Sequence, residues 1–393
     1  MFSISKAVLF ATLLATTSLA TSPRKKTCTD YEIPVTPTSL NLVWGKKFVT
    51  DFDVVDFISD INSRTAATSF NPYDTTTAPV LTTASYTISA TFCTPQKGAT
   101  GIVLLLSRGL NFDRSYWDPE VSKEKYSFVD WVLARGYSVF YYDRLGVGKS
   151  TLVSGYVNQA SIQIAILEEL ATSVKAGKYT GGFGTPKSLV LVGHTFGSVI
   201  SAALVTADPS IAEGLVLTGF SFNGTNGAGF LEAFQPRIAS GESSNGHLWT
   251  LDISPQRIST LMSTCKRISA PLTRQTANRT KFFKALDYDV GIAKYAHRNR
   301  QPFGINEATS GGLVDVAPVN FTGPAMVIAG QFDLIFCTGQ CDQVIEHPAK
   351  EIFSHAKAFK AVSYTGAGHG LNFALNATGA FGLITDFLSS NGL

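Results

Sequence analysis

The stretch formed by residues 189–198 constrains the fold of this chain more than any other part of it. Four apolar residues of β type, 189–192, predict a buried strand, and the small residues 198–203 predict the start of a helix. The turn between them, Gly193-His194-Thr195-Phe196-Gly197, has a glycine at each end, where a Cβ would clash with the tight turn or the packed helix. This layout predicts a nucleophile elbow, a sharp turn that lifts one side chain above a parallel sheet. The central residue of such a turn is normally serine, and here it is Thr195.

Segments of strand and helix type alternate along the chain around this turn. Strands are predicted at residues 85–93, 101–106, 137–142, 215–218, 325–329 and 359–364, and helices at residues 123–135, 162–174 and 380–388. Such alternation is typical of a parallel sheet covered by helices. The predicted fold class is therefore α/β, with a doubly wound, mostly parallel sheet.

Residues 221–318 interrupt this alternation. They combine clusters of Gly, Asn and Ser with the aromatic residues Phe222, Phe230, Phe234, Trp249, Phe282, Phe283, Tyr288 and Tyr295. We interpret the segment as an inserted helical cap. A separate domain is the alternative, and the return of the alternation at Ala325 favours an insertion. The core is then formed by residues 85–220 and 319–393, and residues 21–84 form an N-terminal extension packed on it, without a motif.

Residues 1–20 have the features of a secretory signal peptide. Lys6 precedes a short apolar run, and Ser18-Leu19-Ala20 offers the small residues that a signal peptidase requires. The apolar run is shorter than the about 20 residues that span a bilayer, which disfavours the alternative, a membrane anchor. The sequence therefore predicts a secreted, extracellular protein without a membrane span. N-glycosylation sequons lie at Asn223, Asn278, Asn320 and Asn376.

Five cysteines suit the oxidising compartment that export implies. The sequence alone does not decide how they pair. Our hypothesis pairs Cys28 with Cys93, which ties the N-terminal arm to a strand end, and Cys337 with Cys341, which closes a very small loop. Cys265 is then left free.

Composition and motifs disfavour several classes of partner. Apolar residues make up 45% of the chain and charged residues 16%, as in a globular protein with a large core. The net charge is +3, with no basic run after residue 26, so no nucleic-acid partner is indicated. Residues 146–150 resemble a phosphate-binding loop, but that motif needs a glycine where this chain has Asp143. No HExxH motif or Cys/His cluster indicates a metal, and we predict no cofactor.

Five short segments occur in the chain order of one enzyme family. They are Arg108-Gly109, the run from Asp143 to Ser150, the turn from Gly193 to Gly197, Asp333 after a late strand, and Gly368-His369-Gly370. On these segments the chain, from about Ser85 to its end, resembles the α/β-hydrolases, and in particular the fungal secreted members that carry an N-terminal extension.

The resemblance implies a triad of nucleophile, acid and base, which falls in chain order on Thr195, Asp333 and His369. An alcohol needs a neighbouring imidazole to take its proton, and a carboxylate holds that imidazole in the correct tautomer. The implied oxyanion hole consists of the backbone N–H groups of Phe196 and Leu110.

The candidates for the substrate pocket lie in one loop. They are Arg108, Asn111, Phe112, Tyr116 and Trp117. The family normally has His-Gly where this chain has Arg108-Gly109, so we expect the long charged side chain to reshape the mouth of the site. Ordinary core packing is the alternative interpretation for Tyr116 and Trp117.

Thr195 leaves two functions open. The central residue of an elbow has a positive φ, which costs about 1–3 kcal/mol and is least tolerated by a β-branched residue. One hypothesis is a hydrolase of small apolar esters or related acyl compounds with a Thr195 nucleophile, which the intact Asp333 and His369 favour. The other is a catalytically weakened or inactive homologue that binds a small molecule, which Thr195 and Arg108 favour. The first is our prediction; the sequence does not indicate an oligomeric state.

Overall fold

The computed structural model describes residues 26–62, 71–223, 229, 231–232, 236–238, 248–250, 282–285 and 287–393. The strands in these residues are β1 (Lys26–Val35), β2 (Thr38–Asn41), β3 (Val80–Thr83), β4 (Tyr86–Pro95), β5 (Ile102–Ser107), β6 (Ser138–Tyr142), β7 (Ser188–His194), β8 (Gly214–Thr218), β9 (Arg237–Ile238), β10 (Leu248–Thr250), β11 (Phe303–Gly304), β12 (Ala325–Gly330) and β13 (Phe359–Tyr364). Eight of them form one sheet in the order β1-β4-β6-β5-β7-β8-β12-β13. Neighbouring strands from β6 to β13 are parallel, whereas β4 pairs antiparallel with both β1 and β6. The predicted α/β class with a mostly parallel sheet is confirmed.

The helices in the described residues connect these strands. They are α1 (Asp51–Ile61), α2 (Lys123–Tyr126), α3 (Phe128–Leu133), α4 (Ala160–Lys175), α5 (Phe196–Ala207), α6 (Val290–Arg298), α7 (Ile305–Ser310), α8 (Leu334–Cys337), α9 (Glu346–Ile352) and α10 (Ala377–Ser390). The prediction of a single helix over residues 123–135 is wrong, because the helix is interrupted at Ser127. Its extended backbone ends α2, and its Oγ accepts the N–H of Asp130 at 2.9 Å as the N-cap of α3. Within the part of the chain that the structure describes, no helix is long and apolar enough to cross a membrane.

The N-terminal extension contributes a strand to the main sheet. All ten residues of β1 pair with β4, so β1 forms one edge of the sheet. Cys28 lies opposite Cys93 in this pairing, and the two form a disulfide. A second disulfide joins Cys337 to Cys341. Both predicted pairings are therefore present, and Cys265 lies outside the described residues.

The described part of the predicted cap combines helices with a small sheet. It contains α6 and α7, while β9, β10 and β11 form a three-stranded antiparallel sheet. The segment is therefore not purely helical, and the bounds 221–318 stay a prediction.

The sequence features that predict export lie only partly within the described residues. The side chains of Asn223, Asn320 and Asn376 are exposed, as glycosylation requires. Asn278 and the leader predicted for residues 1–20 lie outside the described residues. Secretion and glycosylation stay predictions.

The central strands place the site at one edge of the sheet. β5, β7, β8 and β12 are buried along almost their whole length, as expected of strands covered on both faces. The carboxyl ends of parallel strands meet at one edge, and α/β sheets place their ligands there. Thr195 follows β7, Gly219 follows β8 and Asp333 follows β12 at this edge.

Candidate active site

The turn between β7 and α5 has the backbone of a nucleophile elbow. Thr195, its central residue, has a φ of 50° and a ψ of −114°, a conformation that β-branched residues rarely adopt. A Cβ on Gly193 would overlap the backbone of Ser198, and one on Gly197 would overlap the carbonyl oxygen of Ser107. The positive φ and the reason for both glycines were predicted from the sequence and are confirmed.

The methyl group of Thr195 packs against Gly109 in the loop after β5. The contact is so close that a Cβ on Gly109 would overlap Cγ2 of Thr195. The backbone N–H of Thr195 donates to the carbonyl of Thr218 at 2.9 Å, which ties the elbow to the end of β8. The methyl that distinguishes threonine from serine therefore lies beside the loop that carries Leu110.

Asp333 and His369 form a buried hydrogen-bonded pair. Nδ1 of His369 lies 2.7 Å from Oδ2 of Asp333, and both side chains are fully buried. The other oxygen, Oδ1, accepts the N–H groups of Ile335 and Phe336 at 2.8 and 3.0 Å, so Asp333 is also the N-cap of α8. With these acceptors fixed, the carboxylate can hold the imidazole with a proton on Nδ1 and a lone pair on Nε2.

The Cys337–Cys341 disulfide closes the chain directly after α8. The N–H of Cys341 also donates to the carbonyl of Gln331, at 3.0 Å, so the loop returns to the end of β12. The disulfide thus supports the short helix whose N–H groups hold Asp333.

Aromatic rings shield His369. Its ring centroid lies 5.6 Å from that of Phe282 and 6.0 Å from that of Phe336. The N–H of Gly370 donates to the carbonyl of Phe282 at 2.8 Å, which fixes the histidine loop to residues from the predicted cap.

His369 and Thr195 lie on the same edge of the sheet without a hydrogen bond between them. Gly219 is in contact with His369, because a Cβ there would lie 3.2 Å from Cε1 of the imidazole. The preceding residue, Thr218, accepts the N–H of Thr195. Among the described residues, Nε2 of His369 has no hydrogen-bond partner, so the Thr195 hydroxyl is not bonded to it.

The N–H groups of the implied oxyanion hole have no partner within the described residues. Phe196 is the first residue of α5, where a backbone N–H has no acceptor within the helix. Leu110 follows Gly109, which touches the Thr195 methyl. Both donors therefore lie next to Thr195 in the chain or in space.

His194 is a site residue that was not predicted from the sequence. Its ring is fully buried, stacks on Tyr116 at 4.4 Å and lies 5.0 Å from the ring of His369. Its Nδ1 lies 3.0 Å from Oγ1 of Thr218. Burial, and then the neighbouring His369, hold the pKa of His194 well below its ordinary value, so the ring is neutral. Its position at the end of β7, directly before Thr195, was the available signal.

The low pKa of His194 predicts that the protein loses stability in acid. The unfolded chain binds a proton at His194 below pH 6.5, the ordinary value, while the folded chain does not. The free energy of unfolding is therefore unaffected by this group above pH 6.5. At lower pH it decreases by roughly 1.4 kcal/mol for each pH unit, from this one group. The free energy of unfolding, measured with urea between about pH 4.5 and 8, should change less steeply with pH for His194→Asn than for the wild type. His347→Asn, at an exposed histidine, is the control; equal slopes for wild type and His194→Asn would contradict the prediction.

Two fully buried arginines hold the loop around Gly109. Arg144, which follows β6, donates from Nε to the carbonyl of Arg108 at 3.0 Å and from Nη2 to that of Gly109 at 3.2 Å. Its Nη1 donates to the buried carboxylate of Glu307 in α7. Arg108 donates from Nη1 to the carbonyl of Gly109 at 2.6 Å. Arg144 thereby joins the loop beside Thr195 to the segment predicted as a cap.

Nothing in the local sequence predicts this pairing. Arg144 appeared only as part of a family motif, and Glu307 lies 163 positions away. Two charged residues at such a separation leave no local signal of contact. Arg108 was expected at the mouth of the site; it is fully buried beside Gly109, and burial followed by Arg144 lowers its pKa to about 9.

The other predicted pocket residues are all buried, but their side chains pack in different places. Phe112 contacts Tyr116 at a centroid distance of 5.4 Å, and Tyr116 stacks on His194. Trp117 packs at 5.6 Å against Phe128 in α3, which is the ordinary packing considered for it. Tyr116 therefore lies beside His194, Phe112 packs on Tyr116, and the lining of an acyl pocket stays a prediction.

The segment that resembles a phosphate-binding loop is filled by its own carboxylate. Asp143 accepts the N–H of Lys149 at 3.0 Å on Oδ2 and that of Arg114 at 2.8 Å on Oδ1. The carboxylate thus takes one backbone donor of the segment, the N–H of Lys149, that a phosphate would need in such a loop. This agrees with the mismatch that the sequence showed at Asp143.

Comparison with known proteins identifies the family. The sequence profile of the alpha/beta hydrolase family matches residues 102–377, which is well over half of the chain. The protein therefore belongs to the α/β-hydrolase family. No curated protein matches the sequence.

Solved structures are similar to the chain in fold. The enol-lactonase from Burkholderia xenovorans is 15% identical, with a TM-score of 0.50 over 77% of this chain and 97% of that chain. The bromoperoxidase from Bacillus anthracis is 19% identical, with a TM-score of 0.48 over 77% and 96%. A thermophilic esterase from Thermogutta terrifontis is 16% identical, with a TM-score of 0.46 over 77% and 94%. At these identities the likeness concerns the fold alone.

Proposed function

We propose that this protein is a secreted hydrolase of small ester or related acyl compounds that uses Thr195, His369 and Asp333. The observation that carries the proposal is the buried 2.7 Å hydrogen bond between Asp333 and His369, at the sheet edge where Thr195 forms the elbow. A carboxylate and an imidazole held in this way can activate a neighbouring alcohol.

The proposed reaction begins with a rotation of the Thr195 side chain that brings Oγ1 to Nε2 of His369. The oxygen attacks the carbonyl carbon of the ester, and its proton passes to Nε2. Asp333 stabilises the resulting imidazolium through Nδ1. The carbonyl oxygen becomes an oxyanion that accepts the N–H groups of Phe196 and Leu110.

The tetrahedral intermediate collapses when the leaving alcohol takes the proton from Nε2. An acyl-threonine ester remains on Thr195. Water then attacks this ester, gives a proton to His369 and releases the acid, while the proton returns to Oγ1 of Thr195. In this proposal, the same two groups, Thr195 and His369, serve both halves of the reaction.

A second function, small-molecule binding without turnover, is favoured by two observations. The Thr195 methyl packs against Gly109, and Nε2 of His369 is not bonded to the Thr195 hydroxyl. A threonine fixed in this rotamer would leave the fold and pocket intact but the nucleophile inactive.

Labelling and turnover together distinguish the two functions. We expect the purified full chain to release p-nitrophenol from a panel of p-nitrophenyl esters of increasing acyl length. We also expect a fluorophosphonate to modify the peptide that contains Thr195, as read by mass spectrometry. His369→Ala should prevent both, because the alcohol then lacks its base. Absent turnover and labelling, with a melting temperature that esters still raise, would replace the hydrolase by the binding protein.

A further inference from the structure

We infer that the site takes a substrate whose acyl part carries a carboxylate, and that Arg108 binds this carboxylate through the edge formed by its Nε and Nη2. That such a compound is hydrolysed rests on the proposed function, whereas its binding to Arg108 does not.

Arg108 is a buried cation that forms no salt bridge among the described residues, although Glu307, Asp143 and Asp113 favour its charge from beyond ion-pair distance. Its side chain is fully buried, and only Nη1 is engaged, with the carbonyl of Gly109 at 2.6 Å. Nε and Nη2 have no hydrogen-bond partner within the described part of the chain. Arg144, equally buried, instead pairs with Glu307 and donates to two carbonyls. A buried charge is costly unless it is paired, so the contrast between the two arginines points to a partner from outside the chain.

The free edge of Arg108 has the geometry that recognises carboxylates. Nε–H and one N–H of Nη2 point the same way from the planar guanidinium and can donate to both oxygens of one carboxylate. With a pKa lowered to about 9, the group remains charged at neutral pH.

The guanidinium of Arg108 lies next to the loop that touches the proposed nucleophile. The carbonyl that Arg108 holds belongs to Gly109, and Gly109 touches the Thr195 methyl. A carboxylate on Arg108 would therefore lie within a short acyl chain of Thr195. The N–H groups of Phe196 and Leu110 would bind the transient oxyanion that forms at Thr195. The Nε and Nη2 donors of Arg108 would then remain available for a second anion that the substrate carries permanently.

Asn111 supplies a second polar group in the same loop. It is fully buried, has a φ of 70°, and neither Oδ1 nor Nδ2 has a partner within the described residues. A positive φ is uncommon for a non-glycine residue, although Asn adopts it more readily than most. An amide donor and a guanidinium in one buried loop suit a ligand with acceptor oxygens.

Binding to a variant that cannot turn over tests this inference. The test uses the full chain with Thr195→Ala. It compares the Kd for monomethyl succinate, which carries one carboxylate, with the Kd for neutral dimethyl succinate. The monoester should bind at least about tenfold more tightly, because charge-assisted hydrogen bonds replace neutral ones. Adding Arg108→Met should abolish this preference and leave the Kd for the diester within about twofold. Adding Lys149→Met, which removes an exposed charge from a nearby loop, should leave the preference intact.

Several outcomes would overturn the inference. They are equal affinity for the two esters, a preference that survives Arg108→Met in a protein with wild-type circular dichroism, and displacement of the monoester by inorganic phosphate as readily as by acetate. Failure of the proposed function is distinguishable, because it would remove Thr195-dependent turnover of neutral esters while the carboxylate preference stays. Turnover of neutral esters without any carboxylate preference would retain the hydrolase and reject the role of Arg108.

Discussion

Thr195→Ala should lower kcat/KM for esters by about four orders of magnitude or more, whereas Thr195→Ser should raise kcat by about tenfold. Loss of the nucleophile leaves only what binding and the oxyanion hole provide. Serine keeps the hydroxyl and removes the methyl that packs against Gly109. It also relieves part of the strain of a β-branched residue at a φ of 50°. Steady-state hydrolysis of p-nitrophenyl esters measures both effects.

The matched control for these variants is Thr206→Ala. Thr206 lies in the same helix, α5, and its hydroxyl donates to the carbonyl of Ala202, away from the elbow. This variant should retain wild-type kinetics. Activity that Thr195→Ala leaves unchanged would show that the chemistry lies elsewhere and that the elbow is only a structural turn.

Arg144→Met should destabilise the protein by about 3–5 kcal/mol, and Arg108→Met should stabilise it by about 1–4 kcal/mol. The first leaves the buried carboxylate of Glu307 without its partner, and removing one member of a buried pair is strongly destabilising. The second removes a cation whose pKa burial lowers to about 9 from 12.5. A lowered pKa in a base means that the folded state disfavours its charged form, so at neutral pH the charge opposes folding. Urea unfolding at pH 7 compares the two variants with the wild type.

The double variant Arg144→Met/Glu307→Leu provides the internal control. It removes both charges, so most of the stability lost in Arg144→Met should return. If Arg108→Met proved as destabilising as Arg144→Met, the Arg108 charge would have a stabilising partner within the folded chain.

The sequence predicted the parts of the fold that depend on local patterns. Near-continuous apolar runs identified the central strands, and the two glycines around Thr195 identified the elbow, because both signals lie within a few residues. Placing Asp333 and His369 in one site came from the family resemblance, since they are 36 positions apart. The sequence patterns alone would not have paired them.

The features that were missed depend on contacts between distant segments. The partners Arg144 and Glu307 meet only because α7 packs on the loop after β6. The break at Ser127 arises from a side-chain cap that competes with a continuous apolar pattern. His194 was overlooked for a different reason. It was assigned to the elbow motif and was therefore not considered as a candidate histidine.

Oxidation of Cys28 and Cys93 selects a single alignment of the outermost strand. The two residues face each other across β1 and β4, with Cα atoms 4.1 Å apart. A slip by one residue would place Cys28 opposite Phe92 or Thr94 and turn its side chain to the other face of the sheet. A disulfide needs Cα atoms within about 7 Å and Cβ atoms that point towards each other, so misaligned chains would keep two thiols. Free thiols in excess of the one predicted for Cys265 therefore count the molecules in which β1 is out of register with β4.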